Sequence, residues 1–179
     1  TFHPVTLENA TSAEQMFQFL TALKQLKDTH LIFTMPNADT YGRVLIEMIS
    51  KFVSENPTAK SFTSLGQLNY LSTIKYVDGV VGNSSSGIIE VPSFFKGTIN
   101  IGDRQQGRLQ AKSIINCAPE QDSISLAIKK MYSKDFQIML KTTKNPYGEG
   151  GASKKVVDML KKVKLEGVLK KSFFNLPQQ

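Results

Sequence analysis

The chain has 179 residues, 40 % of them hydrophobic and 21 % charged, with a net charge of +7 and a pI near 9.4. That length supports one domain with a substantial core, and no apolar run approaches the length of a membrane span. A single cysteine, Cys117, excludes a disulfide framework and a cysteine cluster for zinc; no signal peptide opens the chain, so the cytoplasm is the expected compartment.

Strand and helix patterns alternate along the chain. Thr1–Pro4 reads as a short strand, and a chain that opens in mid-strand is expected to be a domain excised from a longer protein. Thr11 or Ser12 caps a helix to about Lys27, with Met16, Phe19, Leu20, Leu23 and Leu26 on one face. His30–Met35 is an apolar strand ending at Pro36-Asn37. A helix from about Thr40 to Glu55 buries Val44, Leu45, Met48, Ile49 and Phe52, and Asn56-Pro57 breaks it. Ser61–Leu65 reads as a weak strand and Gly66–Lys75 as a short helix. Gly79–Gly82 is a strand followed by a helix over Ser86–Phe94. Thr98–Ile101 and Ser113–Cys117 are strands, and Glu120–Tyr132 is a helix. A polar, glycine-rich connector, Asn145–Gly151, leads to a last helix from about Ala152 to Lys164. The expected domain is 1–164, with 165–179 as a tail whose Phe173, Phe174 and Leu176 need a covering surface. No internal repeat or low-complexity segment is visible.

Strands separated by helices predict right-handed crossovers, a parallel sheet and an α/β fold with helices on both faces. Ligands of such sheets sit beyond the carboxyl ends of the strands. His3, Asn37, Ser84 and Arg104 all fall at such ends, on different strands but one edge.

The sharpest local signal is Asp78-Gly-Val-Val-Gly-Asn-Ser-Ser-Ser-Gly-Ile-Ile-Glu-Val91. It reads as a buried strand, a tight turn of small residues, and a helix that starts at the turn. The first N–H groups of a helix lack intrahelical partners and lie at its positive end, a ready site for phosphate. Ser84, Ser85 and Ser86 add hydroxyls, and Gly87 allows close approach of the backbone. Glu90, placed in the first helical turn, can accept from the vicinal hydroxyls of a ribose. The pattern therefore suggests a nucleoside diphosphate. Serines before a helix also serve as N-caps, and an acidic residue in the first turn complements the dipole, so both readings stand at this point.

The charge excess lies late, in Lys154, Lys155, Lys161, Lys162, Lys164, Lys170 and Lys171. Their spacing predicts a solvated helix face. No zinc-finger or RNP-type motif is present, and no basic stretch interleaves with aromatics, so no nucleic-acid partner is expected. A basic domain does attract an anionic nucleotide.

Several stretches together resemble the hydrolysing UDP-N-acetylglucosamine 2-epimerases in their C-terminal half. They are Phe2-His-Pro-Val-Thr6, Met35-Pro-Asn37, Gly82-Asn-Ser-Ser-Ser-Gly-Ile-Ile-Glu-Val91, Thr98-Ile-Asn-Ile-Gly-Asp-Arg-Gln-Gln-Gly-Arg108 and Asn145-Pro-Tyr-Gly-Glu-Gly-Gly-Ala-Ser153. The resemblance runs to about Lys164. It implies a GT-B fold, two Rossmann-like domains facing a cleft, of which this chain is the UDP-binding one. Ser84 and Ser85 would then bind the pyrophosphate and Glu90 the ribose hydroxyls. Arg104 would lie against the phosphates, Asn37 would line the nucleotide site, and His3 would assist departure of UDP at the cleft. Ser64 and Leu65 stand where the family holds the uracil, in a loop that departs from its usual sequence. Arg108 reads equally well as structural, and Cys117 as a small core residue.

In that family the reaction eliminates UDP from UDP-N-acetylglucosamine to a glycal, then hydrates it to N-acetylmannosamine, a precursor in sialic acid biosynthesis. The acid–base carboxylates come from the N-terminal domain, which this chain does not contain. The resemblance therefore implies a chain that binds UDP or UDP-N-acetylglucosamine but is inactive alone. Its partners would be the N-terminal domain and, at full length, a second copy in a homodimer or higher oligomer. No cofactor is implied. His3 and His30 have no paired carboxylate spacing for a metal, and no Gly-x-Gly-x-x-Gly fingerprint is present. A GT-B glycosyltransferase and a nucleotide-sugar sensor module are the alternatives.

Overall fold

Short runs rich in β-branched or small residues form the strands of the computed structural model, which describes residues 1–5, 11–36, 42–164, 166, 167 and 169. These are β1 (Leu31–Thr34), β2 (Ala59–Phe62), β3 (Gly79–Gly82), β4 (Gly97–Ile101) and β5 (Ile114–Cys117). β1 pairs with β2, and β3, β4 and β5 pair in that order, all parallel. The helices between them are α1 (Ser12–Lys24), α2 (Gly42–Glu55), α3 (Gly66–Tyr76), α4 (Ser85–Ile89), α5 (Gln121–Met131), α6 (Lys134–Leu140) and α7 (Ala152–Lys162). The α/β class and parallel pairing follow the sequence expectation. Asn37 lies outside the described residues, as do Phe173, Phe174 and Leu176.

The period of two along β4 sorts the helices onto two faces. Ile99 and Ile101 join Met16, Phe19, Leu23, Ile124 and Ile128 in one buried cluster, so α1 and α5 cover that face. Thr98 points the other way, and its hydroxyl donates to the Gly87 carbonyl of α4 at 2.8 Å.

Three elements differ from expectation for local reasons. The helix expected over Ser86–Phe94 is broken: α4 has five residues, and a separate 3₁₀ turn, Val91–Phe94, carries Pro92 in its first turn, which cannot donate to a continuing helix. α6 is an additional helix. Ser133 caps it by accepting the Phe136 N–H, and Phe136 and Leu140, four apart, bury one side. In α2 the buried stripe is Leu45, Ile49 and Phe52, while Val44 is 44 % exposed because it falls off that stripe.

The chain divides into two compact units, Thr1–Tyr147 and Gly148–Gln179. The first holds the five strands and α1 to α6; the second carries α7. Among the described residues no helix is long and apolar enough to cross a membrane.

No strand is assigned over Thr1–Pro4, yet Thr1 makes two bonds of a parallel ladder with β3. Its amino group donates to the Val81 carbonyl at 3.3 Å, and its carbonyl accepts the Asn83 N–H at 3.3 Å. Its hydroxyl also meets that of Thr34 at the end of β1. The ladder stops at His3, whose N–H goes to the Asn83 side chain instead of its carbonyl.

Candidate functional site

The turn between β3 and α4 brings together residues from three distant parts of the chain. Gly82 enters it with φ +143°. Asn83, 1 % exposed, follows. Its Oδ1 accepts the His3 N–H at 2.7 Å and its Nδ2 donates to the His3 carbonyl at 2.8 Å. The backbone carbonyl of Asn83 accepts from Arg104 Nη1 at 3.0 Å and from Gln105 Nε2 at 2.8 Å. One residue therefore fastens both the opening segment and the loop after β4 to the serine turn.

That loop is itself anchored. Asn100 Nδ2 donates to Asn116 Oδ1 at 2.8 Å, and Asn116 Nδ2 donates to Gln110 Oε1 at 2.7 Å. Gln105 is buried while Arg104 is exposed. Among the described residues no carboxylate pairs with the Arg104 guanidinium, so most of its donor fork stays open to an anion. Arg108 is exposed, and its N–H donates to the Gln105 carbonyl within the loop at 3.3 Å.

Ser84 does cap α4: its Oγ accepts the Ser86 N–H at 3.4 Å, and its own proton is left for another acceptor. Because α4 has only five residues, its aligned dipoles add little, and hydroxyls and N–H groups must supply the turn's anion affinity. Gly87 serves a different purpose from the one expected. A Cβ there would lie 2.7 Å from Thr98 Cγ2, so its close approach is to the sheet. Glu90 is not in the first turn either but at the C-terminal cap of the short helix.

Glu90 is nonetheless tied to the turn. Ser86 Oγ lies against Glu90 Oε2 and is 2.8 Å from the Tyr70 hydroxyl of α3. Ser86 has one proton to give, and the carboxylate takes only donors. The satisfied arrangement has Tyr70 donating to Ser86 and Ser86 to Glu90. Burial raises the Tyr70 pKa above 10.0, and the Glu90 charge raises it further, against the opposing Ser86 bond. Tyr70 therefore stays protonated. The segment on both sides of Glu90 is held by Asn145, whose Nδ2 donates to the Ile89 carbonyl at 2.8 Å and to Ser93 Oγ at 2.7 Å.

Of the four strand-end residues, His3, Ser84 and Arg104 meet at one turn, and Ser85 and Glu90 lie on the short helix that it opens. Ser64 is exposed after β2, and its Oγ accepts the Gly66 N–H at 3.1 Å at the start of α3; no contact joins it to the cluster. Asn37 falls outside the described residues. Asn83, Gln105 and Tyr70 are the structural contributors that the sequence reading passed over. The asparagine directly ahead of a serine run was the one available signal. Among the described residues no group of three metal-ligating side chains is present.

The family model described as UDP-N-acetylglucosamine 2-epimerase matches residues 1–161. GDP/UDP-N,N'-diacetylbacillosamine 2-epimerase (hydrolyzing) of Campylobacter jejuni is 40 % identical, over 98 % of this chain and 46 % of its own length. The polysialic acid biosynthesis protein P7 of Escherichia coli is 36 % identical, over 99 % of this chain and 46 % of its own. The chain thus spans about half the length of these relatives. Two solved structures share the fold. The S. aureus MnaA–UDP co-structure has a TM-score of 0.71 at 16 % identity, covering 89 % of this chain and 43 % of that one. A Methanocaldococcus jannaschii UDP-GlcNAc 2-epimerase with UDP-GlcNAc and UDP has a TM-score of 0.67 at 17 % identity, covering 89 % and 44 %. By its match over nearly all of its length, this chain belongs to the UDP-N-acetylglucosamine 2-epimerase family.

Proposed function

We propose that this chain is the C-terminal, nucleotide-binding half of a hydrolysing UDP-sugar 2-epimerase and that it holds the UDP of UDP-N-acetylglucosamine. The observation that carries the reading is the Asn83 junction, which sets His3, the serine turn and Arg104 side by side. In this reading Ser84 and Ser85 donate to the pyrophosphate, and the Arg104 fork lies on its oxygens. Glu90 accepts from the ribose hydroxyls, and Ser86 and Tyr70 hold its carboxylate in place. Ser64 lies toward the uracil end.

The chemistry assigned to these residues is leaving-group stabilisation. Elimination of UDP from the sugar moves negative charge onto the diphosphate, and fixed donors aimed there lower that barrier. His3 contributes because an imidazole donates a hydrogen bond in either protonation state. Removal of the C2 proton and later hydration of the glycal need an acid–base pair, which in this reading lies in the other half of the protein. The chain alone then binds UDP without turnover. The supporting facts are the hydrolysing relatives and the nucleotide complexes among the fold neighbours.

Calorimetric titration with UDP tests this. Saturable binding is expected, weakened about tenfold or more by Arg104→Ala and by Glu90→Ala, and several-fold by Ser84→Ala. Unaltered binding in all three variants would refute the assignment.

A further inference from the structure

Gln105 is the single buried residue from Asp103 to Gln110, in a loop whose other side chains are exposed. Glutamine is an unfavourable choice for such a place. Its Oε1 is enclosed and accepts no hydrogen bond among the described residues, whereas a leucine or methionine would fill the space with no polar atom to satisfy. The atom that this position uses is therefore Nε2, which donates to the Asn83 carbonyl at 2.8 Å. The amide cannot be turned round, because a carbonyl accepts and never donates.

The same carbonyl accepts from Arg104 Nη1 at 3.0 Å. A carbonyl oxygen has two lone pairs, and here two side chains adjacent in sequence take both. They differ in permanence. Gln105 is 2 % exposed and makes the shorter bond; Arg104 is exposed, and exposed side chains change rotamer freely. Arg104 is thus the partner that can leave. Asn83 itself is enclosed, so a carbonyl left with no donor there is strongly disfavoured.

Building on the assignment of UDP to the serine turn, we propose that Gln105 is a positioning residue: it keeps the Asn83 carbonyl bonded so that Arg104 can turn from that carbonyl onto the diphosphate. Without ligand, Arg104 rests on the carbonyl, directly beside Ser84. On binding it exchanges a neutral acceptor for a charged one, and the carbonyl keeps its bond to Gln105. With no second donor, the same movement would strip the carbonyl of its last partner, and that loss would be subtracted from the affinity of the arginine for phosphate.

Calorimetry with UDP on Gln105→Met tests this, since methionine has nearly the same shape and no donor. Its Kd should rise about five- to tenfold, with a Tm equal to or above that of the parent chain, because an orphaned acceptor is removed and the carbonyl keeps Arg104. In an Arg104→Ala background the same substitution should change Kd by less than about twofold, since the residue it acts through is gone. Unaltered affinity in Gln105→Met, an equal loss in both backgrounds, or a Tm lower by more than about 5 °C would overturn the proposal; the last two would make Gln105 a structural pin. A measurement without ligand separates this inference from the nucleotide assignment. The chain has three arginines, Arg43, Arg104 and Arg108, so their Nε–H signals are readily resolved by NMR. In ligand-free Gln105→Met the order parameter of the Arg104 Nε–H should rise, because Arg104 is then the sole partner of the carbonyl, while that of Arg43 on α2 stays unchanged. If the parent chain fails to bind UDP, the nucleotide assignment falls. A raised order parameter then still supports the role of Gln105, and an unchanged or lowered one overturns it.

Discussion

Replacing Asn83 with alanine should destabilise the chain by about 2–4 kcal/mol in urea unfolding while leaving its helical content intact. The side chain is enclosed and makes a two-way bond to His3, as a neighbouring strand would. Truncation removes both of these bonds to the His3 backbone and opens a small cavity. Water compensates in part, because His3 is half-buried, which sets the lower end of the range. The bonds from Arg104 and Gln105 go to the Asn83 backbone and survive the substitution. Stability should therefore fall more sharply than UDP affinity, the reverse of Arg104→Ala. Asn83→Asp sharpens the test. An ionised carboxylate keeps the acceptor for His3 N–H but sets a second acceptor against the His3 carbonyl. Only the protonated acid donates there, so the folded-state pKa is raised and stability is regained as pH falls toward about 4. A loss under about 0.5 kcal/mol for Asn83→Ala would show that His3 is held by other means.

The strand ends were legible in the sequence because each rests on local pattern: Val80-Val81 between two glycines defines β3, and the serine run marks the turn that follows. α6 was not, since Tyr132-Ser133 reads as the stop of one helix and proves also to be the cap of the next. The length of α4 was misjudged because Ile88, Ile89, Val91 and Phe94 keep a helical spacing through Pro92, and the ring wins over the spacing. Within the site, Ser84 and Arg104 announce themselves by residue type. Asn83 does not. Its partner His3 is 80 residues away, and no periodicity carries that information. Tyr70 was hidden for the same reason: its bond to Ser86 spans 16 residues and two elements, and the apolar pattern of α3 draws attention to Ile74 instead.

Gly82→Ala should cost at least about 3 kcal/mol and abolish UDP binding with it. Two independent effects act at this position. Its φ of +143° lies where residues with a Cβ are strained. A Cβ would also fall 1.8 Å from the Thr1 carbonyl oxygen and 2.7 Å from its carbon, both backbone atoms that cannot swing aside. Relief requires either that β3 rotate, which breaks its ladder with β4, or that the Thr1–His3 segment withdraw. The second route leaves the β3–β4 ladder intact and gives up the bonds to Val81 and Asn83 and the packing of Phe2 on Phe19. The variant should therefore keep most of its circular dichroism but lose the His3 contact and the aim of the serine turn. A Gly82→Ala chain that keeps its stability and binds UDP normally would show that the turn tolerates a side chain and that the close approach of Thr1 is dispensable.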